Sequence, residues 1–187
     1  MSLPAAIGVA RLARFRADGL AAFDATPTGL LNALAPWCAF ALVGFLLVLL
    51  DRPPGEALAE LFATLVALLA PTVISEAVAR RWHREAGWLR YAVALTWCQW
   101  LMPPAFLVAV LASGLLIAAG FSEELAEQLG MLALLAYALA LHGFIARHAL
   151  ALSRWRTAGI VAIVNLGTAV VVMVPLLAQG VLDGSPA

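Results

Sequence analysis

The sequence predicts an all-α fold: an integral membrane bundle of five transmembrane helices with an N-terminal interfacial amphipathic helix. Three observations carry this. The chain has 187 residues, 64% hydrophobic and 12% charged, and its mean hydropathy is +0.98. Soluble domains run to roughly 45–50% apolar and about 25% charged, so a water-soluble fold is excluded. Five apolar runs are each long enough to cross a bilayer, which takes about 20 residues. Finally, every cation is an arginine, and all but Arg52 fall in three clusters placed at alternate gaps between those runs. Arg11, Arg14 and Arg16 precede the first run. Arg80, Arg81, Arg84 and Arg90 separate the second from the third, and Arg147, Arg154 and Arg156 the fourth from the fifth. The opposite gaps hold Arg52 with Asp51, Glu56, Glu60, Glu123, Glu124, Glu127 and Asp183. Basic residues are retained on the cytoplasmic side during insertion. The expected location is therefore the bacterial inner membrane, with the N-terminus cytoplasmic and the C-terminus periplasmic.

The elements follow in order. Residues 1–28 form the cytoplasmic leader, in which 3–24 read as one amphipathic helix with Ser2 and Pro4 at its start. Val9, Leu12, Phe15, Gly19, Leu20 and Phe23 share a face on a helical wheel. Arg11, Arg14 and Asp18 lie opposite, and Arg16 falls on the apolar side. Phe15 and Phe23 with Arg11, Arg14 and Arg16 are the expected lipid contacts of a helix at the interface; packing on the protein's own helix ends is the alternative. Asp24 to Pro27 turns the chain into the bilayer. The transmembrane domain occupies 29–182, with spans at about 30–50, 57–77, 91–121, 131–152 and 158–181, and 183–187 form a tail.

Pro36, Pro71 and Pro175 lie within spans, and Asp51 to Gly55 makes a tight hairpin. The third run is longer than a perpendicular crossing needs, and Pro103-Pro104 must break its hydrogen-bond ladder, giving a kink or two tilted half-helices. Ser122 is placed to cap the fourth helix, with Glu123 and Glu124 favoured in its first turn. Trp82, Trp88 and Trp155 flank the arginine clusters, where an aromatic belt belongs. The apolar run after the basic leader is too long for a signal-peptide core, so the first span is expected to act as an uncleaved anchor.

Chemistry-bearing residues are few. Glu76 and Arg80 are helical neighbours able to pair at the interface. His142 lies inside the fourth span, where an ionisable group is a functional candidate. Gln99 and Asn165 lie about 10–12 Å from the arginine end of their spans by helical rise. Gln99, His142, Asn165 and Glu76 thus form a candidate polar cluster, either a small cavity or interhelical hydrogen bonding. His148 faces away from His142. There is no His-Glu-x-x-His, Gly-x-Ser-x-Gly, phosphate-binding loop or intramembrane aspartate pair. Cys38 and Cys98 lack the spacing of a metal or redox site. No catalytic residue, metal ligand or cofactor is expected.

The segment Tyr137–Ala158, with His142, Gly143, Arg147, His148, Ser153, Arg154, Trp155 and Arg156 in helix, short loop and basic turn, resembles the closing part of bacterial Yip1-domain proteins. Tyr91 to Pro104 is similar in style to their middle span, aromatic and then proline-broken. The eukaryotic signature of that family is not recognisable in the first spans. The resemblance implies five spans, a cytoplasmic N-terminus and a membrane-organising or adaptor role; it implies no enzyme and transfers no site residue.

The expected function is an inner-membrane scaffold or interaction protein. Its expected partners are membrane lipids and either another protein or a second copy through the transmembrane helices, with no nucleic acid. The alternatives are a small-molecule transporter or channel using Gln99, Asn165 and His142, or an accessory subunit holding a pigment or haem through His142.

Overall fold

A computed structural model describes the backbone of residues 3–183 and the side chains as far as Met173. Ser2, the Pro175 side chain and tail residues 184–187 lie outside the described residues. The order is α1 (Leu3–Leu12), a 3-10 segment (Ala17–Ala22), α2 (Pro27–Asp51), α3 (Pro54–Arg81), α4 (Glu85–Cys98), a 3-10 segment (Gln99–Leu101), α5 (Met102–Ala118), α6 (Glu123–Ala149) and α7 (Arg154–Asp183). No strand occurs among the described residues. Five stretches are long and apolar enough to span a membrane: α2, α3, α4 with α5, α6, and α7. This is a multi-pass membrane protein.

The breaks follow from local chemistry. Thr26 caps α2, its hydroxyl accepting from the Gly29 amide at 3.0 Å and donating to Asp24 at 2.9 Å, while Pro27 occupies a first-turn position that needs no N–H. A Cβ at Gly29 would lie 2.0 Å from the Asp24 carbonyl oxygen, so only glycine fits. Ser122 caps α6 through the Leu125 amide. In the third crossing the α-helix ends at Cys98 and restarts at Met102. Pro103 and Pro104 therefore sit in the first turn of α5, where missing donors cost nothing. At the arginine-bearing end α3, α4 and α7 extend past the expected spans, whereas the fourth crossing stops short of the expected residue 152. The fourth crossing's helix closes at Ala149, with Ala151 in the left-handed region (φ 50°), and α7 already begins at Arg154.

The leader is not one helix. α1 ends at Leu12, Phe15 turns the chain with φ 55°, and the 3-10 segment folds back on α1. The two pieces approach closely at glycines: a Cβ on Gly19 would stand 2.8 Å from the Gly8 carbonyl oxygen. Ala5, Val9, Leu12, Leu20 and Phe23 are buried in the same core as α4, α6 and α7. Tyr137 on α6 donates to the Ala13 carbonyl at 3.2 Å. Packing on the protein's own helix ends is what the leader does. Phe23, expected against lipid, is only 7% exposed, because the turn at Phe15 points its ring at Gly8. Phe15 packs edge-on against Tyr137 and Phe144. Arg11, Arg14 and Arg16 remain exposed; Arg11 and Arg16 share Asp18 at 3.5 and 2.9 Å.

The core gathers at the arginine-bearing end, around Leu12, Tyr91, Ile145, Leu150, Ile160 and Val164. Toward the far end the packing thins. α2 has no buried residue beyond Leu34, and α5 buries only Ser113. There α5 pairs with α6 through small residues: Ser113 donates to the Ala126 carbonyl at 2.9 Å, and a Cβ on Gly130 would meet the Ser113 hydroxyl at 2.4 Å. Such close backbone approach is a common basis of helix pairing in lipid. α3 packs along α7, where Ile74 covers Gly167.

Candidate functional site

Three spans meet through one chain of hydrogen bonds. Tyr91 of α4 and His142 of α6 bond Oη to Nε2 at 2.6 Å. Asn165 of α7 places its amide nitrogen 3.1 Å from His142 Nδ1 and 2.7 Å from the Val161 carbonyl. That carbonyl can only accept, which fixes the amide nitrogen toward it, and the second amide hydrogen is then donated to His142 Nδ1. The tautomer assigned by this network carries its proton on Nε2, which donates to the Tyr91 oxygen. Tyr91 is fully buried and His142 is 8% exposed.

Next to this chain is a cavity of about 520 Å³. His142, Asn165, Gln99, Cys98 and Thr168 supply its polar lining, and Pro71, Leu139 and Val172 are among its apolar walls. The Thr168 hydroxyl oxygen is buried without a hydrogen-bond partner, although a helical threonine commonly bonds the carbonyl four residues back. The 3-10 segment between Cys98 and Met102 brings Gln99 to the cavity wall.

Of the expected cluster, Gln99, His142 and Asn165 come together, whereas Glu76 does not join them. It pairs with Arg80 one turn on, and that pair lies with Glu85 and Trp88 in a separate recess at the arginine-bearing end. The favourable place for a carboxylate beside a guanidinium is the wet interface, and α3 reaches it at Glu76.

Sequence reasoning missed Tyr91. It reads as an interface aromatic because Arg90 precedes it. The available signal was depth, since Tyr91 and His142 both lie a short way inside arginines at the same end of adjacent spans. Both ring nitrogens of His142 are engaged by protein groups, so a haem or metal could take it as a ligand only by breaking one of these bonds. Among the described residues no three His, Cys, Asp or Glu side chains converge as a metal site.

Other polar groups of the spans are used in helix contacts. Trp88 donates to the Ser75 hydroxyl at 3.2 Å, and that hydroxyl donates to the Thr72 carbonyl. Trp37 and Trp100 stack with centroids 4.7 Å apart, and both indole N–H groups are buried without a partner. No family model, curated protein or solved structure matches the chain.

Proposed function

We propose that the chain is a non-enzymatic interaction protein of the bacterial cytoplasmic membrane, a scaffold or accessory subunit that associates laterally through its transmembrane helices. In this reading the arginine-bearing end faces the cytoplasm and the C-terminus the periplasm. One observation carries it. Packing is closed at the arginine-bearing end and open at the other, where α2 and α5 present large apolar side chains such as Leu46, Leu47, Leu107 and Leu111 on nearly unburied helices. The strongest polar grouping, Tyr91–His142–Asn165, engages both ring nitrogens of His142 with protein groups and ties spans together. The resemblance of Tyr137–Ala158 to Yip1-domain proteins supports the same role.

The test is site-specific photo-crosslinking from positions 46 and 107 in intact membranes, with position 163 on α7 as comparison. Protein adducts from 46 and 107, identified by mass spectrometry, are expected. Lipid adducts alone from both positions would refute lateral association.

A second reading is a binding site for a small molecule in the 520 Å³ cavity, favoured by the unpartnered Thr168 hydroxyl. Under it, Gln99→Leu and Thr168→Val abolish ligand retention in a protein that still folds. Under the interaction reading they leave crosslinking unchanged.

A further inference from the structure

A second cavity, a groove of about 860 Å³, runs between α6 and α7 on the side covered by Phe15. Small residues make its bed: Ala140 and Gly143 on α6, Ala158 and Ala162 on α7. The two helices therefore leave a trough where larger side chains would interdigitate. Leu139 and Leu166 flank it, and Phe15, held by its left-handed backbone, forms a wall with Phe144. Apart from Asn165, the lining is apolar until the arginine-bearing end, where Thr157 and His148 join Arg147, which closes α6, and Arg154, which opens α7. Both arginines are exposed, and among the described residues neither pairs with a carboxylate.

Depth identifies the occupant. Trp155, next to Arg154, is 89% exposed, and an indole presented so openly at a span end belongs at headgroup level. From Arg147 to Leu135, the innermost α6 residue of the groove, helical rise covers about 18 Å. One leaflet of a bilayer core is about 15 Å deep. The groove thus starts where phosphates lie and ends near the bilayer middle.

We propose that the α6–α7 groove holds one acyl chain of an anionic glycerophospholipid from the leaflet at the arginine-bearing end, with its phosphate between Arg147 and Arg154. Guanidinium groups match phosphate oxygens in a two-pronged geometry. A net anionic lipid is selected because no carboxylate neutralises the two arginines, and a zwitterionic headgroup brings a cation of its own. The site is independent of which protein the chain associates with.

Native mass spectrometry of the full chain, released from micelles carrying equal dioleoylphosphatidylglycerol and dioleoylphosphatidylcholine, tests this. One phosphatidylglycerol retained with a preference of about tenfold or more is expected, from two arginines at the surface. Arg147→Ala with Arg154→Ala should remove the preference. Ala162→Phe, which fills the trough without changing charge, should remove retention of both lipids. All three positions are exposed, so the fold has no reason to fail. Arg81→Ala with Arg84→Ala, in another cluster, should change nothing, and inorganic phosphate at lipid concentration should not compete. The proposal is overturned by an absent preference in the unmodified protein, by a preference that survives the Arg147/Arg154 change, or by one lost equally on changing Arg81 and Arg84. Persistent retention in Ala162→Phe, or competition by phosphate, overturns the acyl-chain part. A protein helix seated in the groove would appear instead as an adduct excluding lipid, which also overturns it.

Discussion

Replacing Tyr91 by phenylalanine isolates the bond that joins α4 to α6. The ring stays in its fully buried place, and only the oxygen that accepts from His142 at 2.6 Å is lost. A neutral hydrogen bond contributes about 0.5–1.5 kcal/mol net, and bonds between helices in membranes average about 0.6 with a maximum near 1.7 kcal/mol. The remaining His142 Nε2–H is buried, with the residue 8% exposed, and loses its only partner, which places the expected loss in the upper part of that range, about 1–1.7 kcal/mol. His142→Leu should cost at least as much, because it removes both bonds of the imidazole and leaves the Tyr91 hydroxyl without its partner. The double variant should then be less destabilised than the sum, with a coupling of about 1 kcal/mol. The measurement is reversible unfolding in mixed micelles by added sodium dodecyl sulfate, followed by far-ultraviolet circular dichroism. A coupling below about 0.3 kcal/mol, with helical content unchanged, would mean that apolar packing alone sets the position of these spans and that the Tyr91–His142–Asn165 chain ties nothing.

Leu12→Ala removes a fully buried side chain of the leader and should cost about 2–5 kcal/mol in the same assay; a neutral result would detach the leader from the core. Gly130→Ala forces a methyl onto the Ser113 hydroxyl and should destabilise the α5–α6 pair by about 1–3 kcal/mol, with part of the loss recovered when Ser113→Ala is added; equal damage in both backgrounds would refute the contact. For the orientation proposed above, single cysteines at 84 and 155, in a protein with Cys38 and Cys98 replaced, should react only with reagents entering from the cytoplasm, and cysteines at 54, 125 and 185 only with external ones. External labelling of 84 and 155 would reverse the assignment.

Much of the fold was legible because its signals are local. The length and apolarity of α2, α3, α6 and α7, the turn from Asp24 to Pro27, the Ser122 cap and the Glu76–Arg80 pair each depend on residues within a few positions of one another. The break before Pro103 belongs to this group, since a proline removes its own donor whatever packs around it. The site was legible only in part. Gln99, His142 and Asn165 declare themselves as polar residues in apolar runs, but which of them bond depends on the rotation of each helix about its axis. Single-sequence periodicity is weak for spans that are apolar all round. Tyr91 was hidden by an aromatic's double use, as interface anchor and as hydrogen-bonding core residue. Trp82 and Trp155, both read as belt residues beside arginines, show the same limit: Trp82 packs over Gly159, while Trp155 is 89% exposed.

Arg16 held the clue to the leader. A single helix through residue 24 would press this guanidinium into the face carrying Leu12, Leu20 and Phe23, and an unpaired buried cation is too costly to hold. The chain resolves the conflict by ending α1 at Leu12 and turning at Phe15. That turn sends Arg16 out to Asp18 at 2.9 Å and brings Leu20 and Phe23 back inside. A left-handed residue at Phe15 costs on the order of 1–3 kcal/mol, against two large apolar side chains buried at about 1.5–3 kcal/mol each, so the break is favourable. It also sets the Phe15 ring edge-on to Tyr137 and Phe144, at the wall of the α6–α7 groove. The leader and the groove are therefore one structure. Deleting residues 2–24 should loosen the bundle and weaken lipid retention together, whereas a leader that merely lay on the membrane would affect lipid contact alone.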